Sequence, residues 1–294
     1  MKNKLIISVI MLLSSATFFA QKLSVGNIND QSRTKIVLNF YSFNNPLVAA
    51  EMSIYDVIDY AASIGYEGLD ITGYYFKGYP AVPTDEVIYS VKRRAFKRGI
   101  EICGTGIKNK FTQADSVERK KEKQFVKDWV LVAAKLGGNT LRIYTGLKTP
   151  DGYTWEQAAK WIAADIDECA EFAKKHGIVL AIQNHNDYLK TDDDIDRLFS
   201  MIKSDNVGLM LDIGSFHVGD PYKQIEQTVK YAVSWQVKEK VFTDDVESLT
   251  DIPRVMQIIK KSGYCGFVPI ETLGKGNEKE RVKDMLQRVQ AAKK

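Results

Sequence analysis

The chain has 294 residues, of which 45% are apolar and 27% charged, and its formal net charge is +4. These are the proportions of an ordinary globular protein, and the near balance of charge excludes the strongly basic footprint of a nucleic-acid binder. Cys103, Cys169 and Cys265 are odd in number and have no CxxC spacing, which excludes a disulfide framework or a zinc knuckle and leaves them as small core residues.

Residues 1–20 read as a secretory signal peptide. Lys2 and Lys4 form its positive end, 5–13 its apolar stretch, and Ala20 a cut before Gln21. Phe18 is large for the −3 position, and no cysteine lies near the cut to suggest a lipoprotein. An uncleaved N-terminal anchor is the competing reading, although the apolar run is short for a span. Cleavage would lower the net charge to +2. It would give a secreted or periplasmic protein with no stable membrane association.

The first predicted strand is 35–40, and a helix follows with Ser53 as N-cap and Ile54, Val57, Ile58 and Ala61 at helical spacing. Next come a strand over 66–72, an aromatic and glycine-rich loop over 73–80, a helix over 84–98 and a strand over 100–104. A helix striped by Phe125, Trp129, Val132 and Leu136 leads to a strand over 140–144. The mixed charges of 119–123 mark a solvated face of that helix. Ile162, Ile166, Cys169 and Ala173 mark the next helix, before a strand over 178–183. A helix over 191–203, a strand over 207–213, a short helix over 222–230 and a strand over 233–238 follow. Ile252, Val255, Met256 and Ile259 stripe the seventh main helix, 267–271 is the eighth strand, and a charged helix runs from Asn277.

One local event recurs: a helix ends on Gly65, Gly99, Gly137, Gly177 or Gly263, and a short apolar strand starts at once. Glycine suits a left-handed C-cap, and the Lys, Arg or His beside most of these glycines suits the negative end of the helix dipole. The glycines lie 34, 38, 40 and 86 residues apart. Eight units of this size predict an α/β protein, a single (β/α)8 TIM barrel over 21–294 preceded by the signal peptide. Chemistry is then expected at the C-terminal ends of the strands.

Polar residues gather at those ends. Asp70 ends the second strand, Arg142 and Tyr144 the fourth, Gln183-Asn184-His185 the fifth and Asp212 the sixth, with His217 five residues later. Gln236 and Lys238 share one parity at the end of the seventh strand, and Glu271 ends the eighth. So many polar groups around one mouth point to a site, because burying them unpaired is costly. The aromatic loop from Tyr74 to Tyr79 is suited to stacking on sugar rings or closing the mouth, and equally to packing on the barrel rim. His176 sits at a helix C-cap and is assigned no chemistry.

Gln183-Asn184-His185, Leu211-Asp212-Ile213-Gly214, Gln236-Val237-Lys238 and Pro269-Ile270-Glu271, in this order at the ends of strands five to eight, resemble the xylose isomerase-like barrels. These include sugar isomerases and epimerases, with endonuclease IV-type enzymes as relatives. The resemblance covers most of the chain from Lys35 onward. It implies a divalent metal held by Glu, Asp, His and Glu at the ends of strands five to eight. In this chain those positions read Gln183, Asp212, Gln236 and Glu271. An all-oxygen set favours Mn, Mg or Ca over zinc, with reduced affinity, and His185 or His217 are candidates to complete it.

Epimerisation in that family uses two facing carboxylates, and Gln183 breaks the pair because an amide is no general base. Glu271 is then the expected base and His185 the second acid-base group. Lys238 is a candidate to polarise a carbonyl or hold an enolate oxygen. Arg142, Tyr144, Asp70, Asn184 and His217 are candidate substrate contacts. The expected activity is metal-assisted proton abstraction next to a carbonyl of a sugar, keto-sugar or keto-glycoside, leading to isomerisation or β-elimination. Export and the lack of a glycine-rich phosphate cradle favour unphosphorylated carbohydrate. A non-catalytic carbohydrate-binding barrel is the alternative. Endonuclease chemistry is disfavoured, since the chain has only three histidines. The partners implied are a small carbohydrate and no nucleic acid, in a monomer or homodimer.

Overall fold

The computed structural model describes residues 33–293. The expected signal peptide and the first residues of the expected barrel domain lie outside them. Ten strands are present among the described residues: β1 Lys35–Asn39, β2 Gly68–Thr72, β3 Glu101–Gly106, β4 Thr140–Ile143, β5 Val179–Gln183, β6 Val207–Asp212, β7 Ala232–Lys238, β8 Lys240–Thr243, β9 Val246–Leu249 and β10 Phe267–Glu271. Eight of them close into a barrel in the ring order β1-β2-β3-β4-β5-β6-β7-β10, while β8 and β9 pair only with each other. All neighbours round the ring are parallel. Around it lie α1 Asn44–Val48, α2 Ile54–Ile64, α3 Asp85–Lys97, α4 Ser116–Leu136, α5 Trp155–Lys174, α6 Asp192–Met201, α7 Pro221–Thr228, α8 Ile252–Ser262 and α9 Glu278–Lys293. No described helix is long and apolar enough to cross a membrane.

Alternation along the strands decides what each face does. Leu69 and Ile71, Leu180 and Ile182, and Leu209 and Leu211 point outward into one core shared with helix residues such as Ile58, Val91, Trp129 and Ile162. The opposite parity points inward. There Ala181, Met210 and Val233 form a small apolar plug. One step of two residues further along these strands, the inward positions become Gln183 and Asp212. Asn39, Asp70, Arg142, Gln236 and Glu271 reach the same layer on the other strands and are all buried. The polar mouth is therefore a continuation of the barrel interior.

Helix boundaries follow the expected signals. Ser53 caps α2 in a reciprocal capping box with Asp56. Gly65, Gly99, Gly137, Gly177 and Gly263 all have left-handed φ, between 66° and 95°. Several element ends shift by one or two residues from the sequence reading, with β3 running to Gly106 rather than 104 and α7 ending at Thr228 rather than 230. The second strand begins at Gly68 rather than at 66, because the Tyr66 N–H still serves the end of α2, donating to Ala61 O (3.1 Å). The short helix α1 and the β8–β9 hairpin are additional. The hairpin turns on Asp244 and Asp245, with φ of 48° and 63°. Two such residues make a tight two-residue turn, but Asp-Asp is a weaker signal for it than Asn-Gly or Asp-Gly.

Candidate active site

A cavity of about 310 Å3 opens at the C-terminal ends of the strands, the low end of the range of about 300–1,000 Å3 for small-molecule sites. Its floor is built by β5, β6, β7 and β10. Asp212 lies fully buried beneath it. Asp212 Oδ2 accepts from Gln183 Nε2 (2.7 Å), Ser215 Oγ (2.8 Å) and Lys238 Nζ (2.9 Å), and Oδ1 accepts from the Gly214 N–H (3.0 Å). Lys238 Nζ also lies 3.3 Å from Glu271 Oε1, and Glu271 Oε2 accepts from Gln236 Nε2. Gln183, Gln236, Lys238 and Glu271 line the cavity.

Burial raises the Glu271 carboxyl above its ordinary range; nearby Lys238 opposes the shift and Asp212 adds to it. Burial also disfavours the Lys238 charge, but Asp212 and Glu271 outweigh it and hold the amine above the ordinary lysine range. Lys238 is therefore an ammonium at any ordinary pH. Two of its N–H bonds serve the carboxylates, which leaves one for a group in the cavity.

The wall from β4 carries Arg142 and Tyr144, both at the cavity. The guanidinium lies over the Tyr144 ring (4.5 Å) and near that of Tyr74 (5.4 Å). Arg142 Nη1 donates to Tyr74 Oη (2.9 Å) and Ile107 O (2.7 Å). Gly106 makes this possible, since a Cβ there would lie 2.6 Å from Arg142 Nε. Asp70 does not line the cavity: it is buried and accepts from Asn39 Nδ2 (2.8 Å). Burial lifts its pKa to about 6, with Arg142 and Asn39 pulling the other way.

Because this carboxyl holds its proton more tightly folded than unfolded, its ionisation costs stability. The cost is absent below about pH 4 and fully present above about pH 6. Asp70→Asn is therefore expected to gain about 3 kcal/mol relative to the wild type between about pH 4 and pH 7.5, the free energy that corresponds to a carboxyl pKa lifted from 3.8 to about 6. Urea titrations at the two pH values check this, and a constant difference would refute it.

On the loop after β5, His185 Nδ1 lies 2.8 Å from Asp187 Oδ2, and the His185 ring meets Tyr144 edge-on at 5.0 Å. With Asp187 as acceptor, Nδ1 carries the proton and Nε2 presents a lone pair. Both residues line the cavity. Asp187 did not figure among the sequence candidates; its signal is an acid two residues after a strand-end histidine. The end of β1 and the loops after β1 and β3 bring further lining residues without a sequence signal, among them Asn39, Tyr41, Lys108 and Asn109.

With Asp70, two more candidate substrate contacts are corrected. Asn184 faces out between β5 and β6, where its side chain accepts from Asp212 N (2.9 Å) and donates to Asp212 O (2.9 Å). It pins the two strand ends together. His217 stacks on Phe242 of the hairpin (4.0 Å) and pairs with Asp245 (2.9 Å). It does not line the cavity. The aromatic loop divides its work: Tyr74 lines the cavity, while Phe76 and Tyr79 pack edge-on against Trp129 of α4.

The family model described as xylose isomerase-like TIM barrel matches residues 58–292. The chain belongs to the xylose isomerase-like TIM barrel family. Among curated proteins it is 26% identical over 145 residues to the rhizopine catabolism protein MocC of Rhizobium meliloti, a match spanning 41% of this chain and 43% of that protein. The chain thus spans less than half the length of this curated relative. Among solved structures it resembles D-psicose 3-epimerase with D-tagatose from Clostridium cellulolyticum H10 (17% identity, TM-score 0.66, 88% of this chain and 96% of that one). It also resembles an IOLI protein with a bound zinc atom (16% identity, TM-score 0.67, 88% and 96%). At these identities the two structures support the fold alone.

The xylose isomerase-like resemblance implied a metal at Gln183, Asp212, Gln236 and Glu271. The four side chains do converge, but they do not fit a divalent ion. Among the described residues no three His, Cys, Asp or Glu side chains come together as a ligand set. The two amides turn N–H donors, not lone pairs, toward the carboxylates, and the Lys238 ammonium lies between those carboxylates.

Proposed function

We propose that this chain is a carbohydrate-modifying enzyme that removes a proton next to a carbonyl of a sugar, keto-sugar or keto-glycoside. The observation that carries this reading is Glu271: a buried carboxyl of raised proton affinity at the cavity, 3.3 Å from a lysine ammonium. Raised affinity makes its carboxylate a stronger base near neutral pH. As the C–H proton passes to Glu271, the bonding pair forms a C=C bond and the carbonyl π pair moves onto oxygen. The free N–H of Lys238 supports that oxyanion in a water-poor site. The His185–Asp187 pair is three strands away round the ring. In isomerisation Glu271 returns its proton to the neighbouring carbon, while the Nε2 lone pair of His185 takes the hydroxyl proton of the carbon that lost hydrogen, whose O–H pair becomes the new C=O, and passes it to the enolate oxygen. In β-elimination the C=O re-forms, the C=C pair moves toward the β-carbon and its C–O bond breaks, and the departing glycosidic oxygen takes up the proton that Glu271 removed. The setting proposed with this reading is outside the cytoplasm, where the substrate is unphosphorylated carbohydrate.

One observation favours a non-catalytic sugar-binding barrel instead: both Glu271 oxygens already accept hydrogen bonds. Solvent deuterium uptake separates the two readings. The purified chain is incubated in D2O with a panel of sugars, keto-sugars and keto-glycosides, and mass spectrometry reads each compound. Deuterium at one carbon supports proton abstraction. Saturable binding with no exchange on any member would overturn it in favour of the binding barrel.

On an exchanging substrate, His185→Gln is expected to lower turnover about 100-fold or more. Asp187→Asn, which spoils the tautomer but keeps the ring, is expected to cost about tenfold and to shift the pH profile. Steady-state kinetics across pH check both, and an unchanged profile would remove the dyad from the mechanism.

A further inference from the structure

We propose that the Lys238 ammonium stands in the place of the family's divalent cation, so that this barrel mouth is complete without a metal ion. This concerns what the site binds, and it holds whether or not the reaction proposed above is right.

The ammonium is in the right position. Nζ sits 2.9 Å from Asp212 Oδ2 and 3.3 Å from Glu271 Oε1, between the two carboxylates that remain of the ligand pattern. The other two positions of that pattern have become amides, and each gives a hydrogen to the nearer carboxylate: Gln183 to Asp212, and Gln236 to Glu271. A divalent ion needs lone pairs from all four positions. Here two of them supply donors instead, which suits carboxylates whose cation is a single ammonium.

The charges also balance. Three carboxylates and a neutral histidine around a doubly charged ion leave one negative charge in excess. Two carboxylates and two neutral amides around a singly charged ammonium leave the same excess. The lost acid at position 183 thus matches the lower charge of the cation, and the mouth keeps the same net charge.

The backbone makes room for the side chain. The Lys238 stem passes against the turn that follows β6, where Gly214 lies. A Cβ at Gly214 would meet Lys238 Cδ at 2.6 Å and the Lys240 carbonyl oxygen at 3.0 Å. Space for this lysine is therefore built into the neighbouring chain. Ser215 Oγ, on the same turn, adds a further donor to Asp212 Oδ2 at 2.8 Å.

The test uses the purified chain and free metal salts as probes. Elemental analysis after gel filtration should find no divalent metal at stoichiometric level. The melting temperature should move by no more than about 1 °C on adding EDTA, Mn2+ or Zn2+. The combined change Gln183→Glu, Gln236→His and Lys238→Met removes the ammonium and restores four ligands. That variant is expected to take up one Mn2+ or Zn2+ and to gain about 5 °C or more in saturating metal. Retention of one metal ion per wild-type chain would overturn the inference, as would a comparable metal-induced rise in the wild type. So would a combined variant that is folded by circular dichroism yet takes up no metal. Should the combined variant fail to fold, the wild-type measurements decide.

Discussion

Lys238→Met is expected to lower stability by about 3–5 kcal/mol at neutral pH, a fall in melting temperature of about 10 °C. The pairing itself does not supply that figure, since burying a lysine with two acids costs desolvation on all sides. The loss arises because Asp212 and Glu271 would remain buried in one hydrogen-bonded cluster with no cation between them. One carboxyl is then expected to take up a proton, which caps the cost and adds a pH signature. The Lys238 proton is held more tightly folded than unfolded. Its stabilisation is therefore full below the ordinary lysine range near about pH 10.4 and is lost as pH rises through the raised value. On the acid side it fades as Glu271, whose proton affinity is raised, becomes neutral. Urea denaturation at about pH 7.5 and about pH 4.5 should accordingly show a large difference from wild type at the first and a smaller one at the second. Adding Glu271→Gln to Lys238→Met should recover about 1–3 kcal/mol, because residues in one cluster couple. A single variant as stable as wild type at both pH values would mean that Lys238 is not the counter-ion of this cluster.

The barrel was legible because its signals are local and repeated. Five helices end on a glycine that a left-handed cap requires, and each strand shows its parity over a few residues. The same parity rule sorts the strand ends: Gln183 and His185 share a side, and the intervening Asn184 must face out, where it ties β5 to β6. Asn184 as a substrate contact was at odds with that alternation. The position of His217 was not legible, because it depends on Phe242 and Asp245 in a hairpin whose Asp-Asp turn carries a weak signal. Asp187 was missed for a similar reason, since a loop acid declares itself only when its partner ring is placed.

At the metal pattern, residue identity alone stops being informative. Glutamine offers either a carbonyl oxygen or an N–H, and the neighbours choose between them. Beside a carboxylate the N–H wins, so Gln183 and Gln236 became donors to Asp212 and Glu271 rather than ligands. What the sequence shows as two lost ligands is, in three dimensions, a rearranged cluster with its own cation. Gln236 also keeps its Oε1 buried without a partner among the described residues. An acceptor left unmet in this way is costly unless something completes it. A sugar hydroxyl in the adjoining cavity is a fitting donor.

Glu271→Gln is expected to lower proton exchange or turnover by about 10²–10⁴-fold while leaving substrate binding within a few-fold of wild type. An amide keeps the shape of the side chain and a carbonyl oxygen for Lys238, but it has no lone pair basic enough to take a carbon-bound proton. It also places an N–H where Glu271 Oε2 accepted from Gln236. Gln236 can meet that change by turning its amide over, since its Oε1 is the unsatisfied atom. The variant should therefore stay folded, with a melting temperature within a few degrees of wild type, so that lost exchange reports on chemistry. Unaltered KM with a collapsed kcat would place Glu271 in the transition state. A rise in KM at constant kcat would reduce it to a binding group and leave His185 as the base. Full exchange with both constants unchanged would remove Glu271 from the reaction altogether, and with it the argument that a buried carboxyl of raised proton affinity at this mouth is there to take a proton.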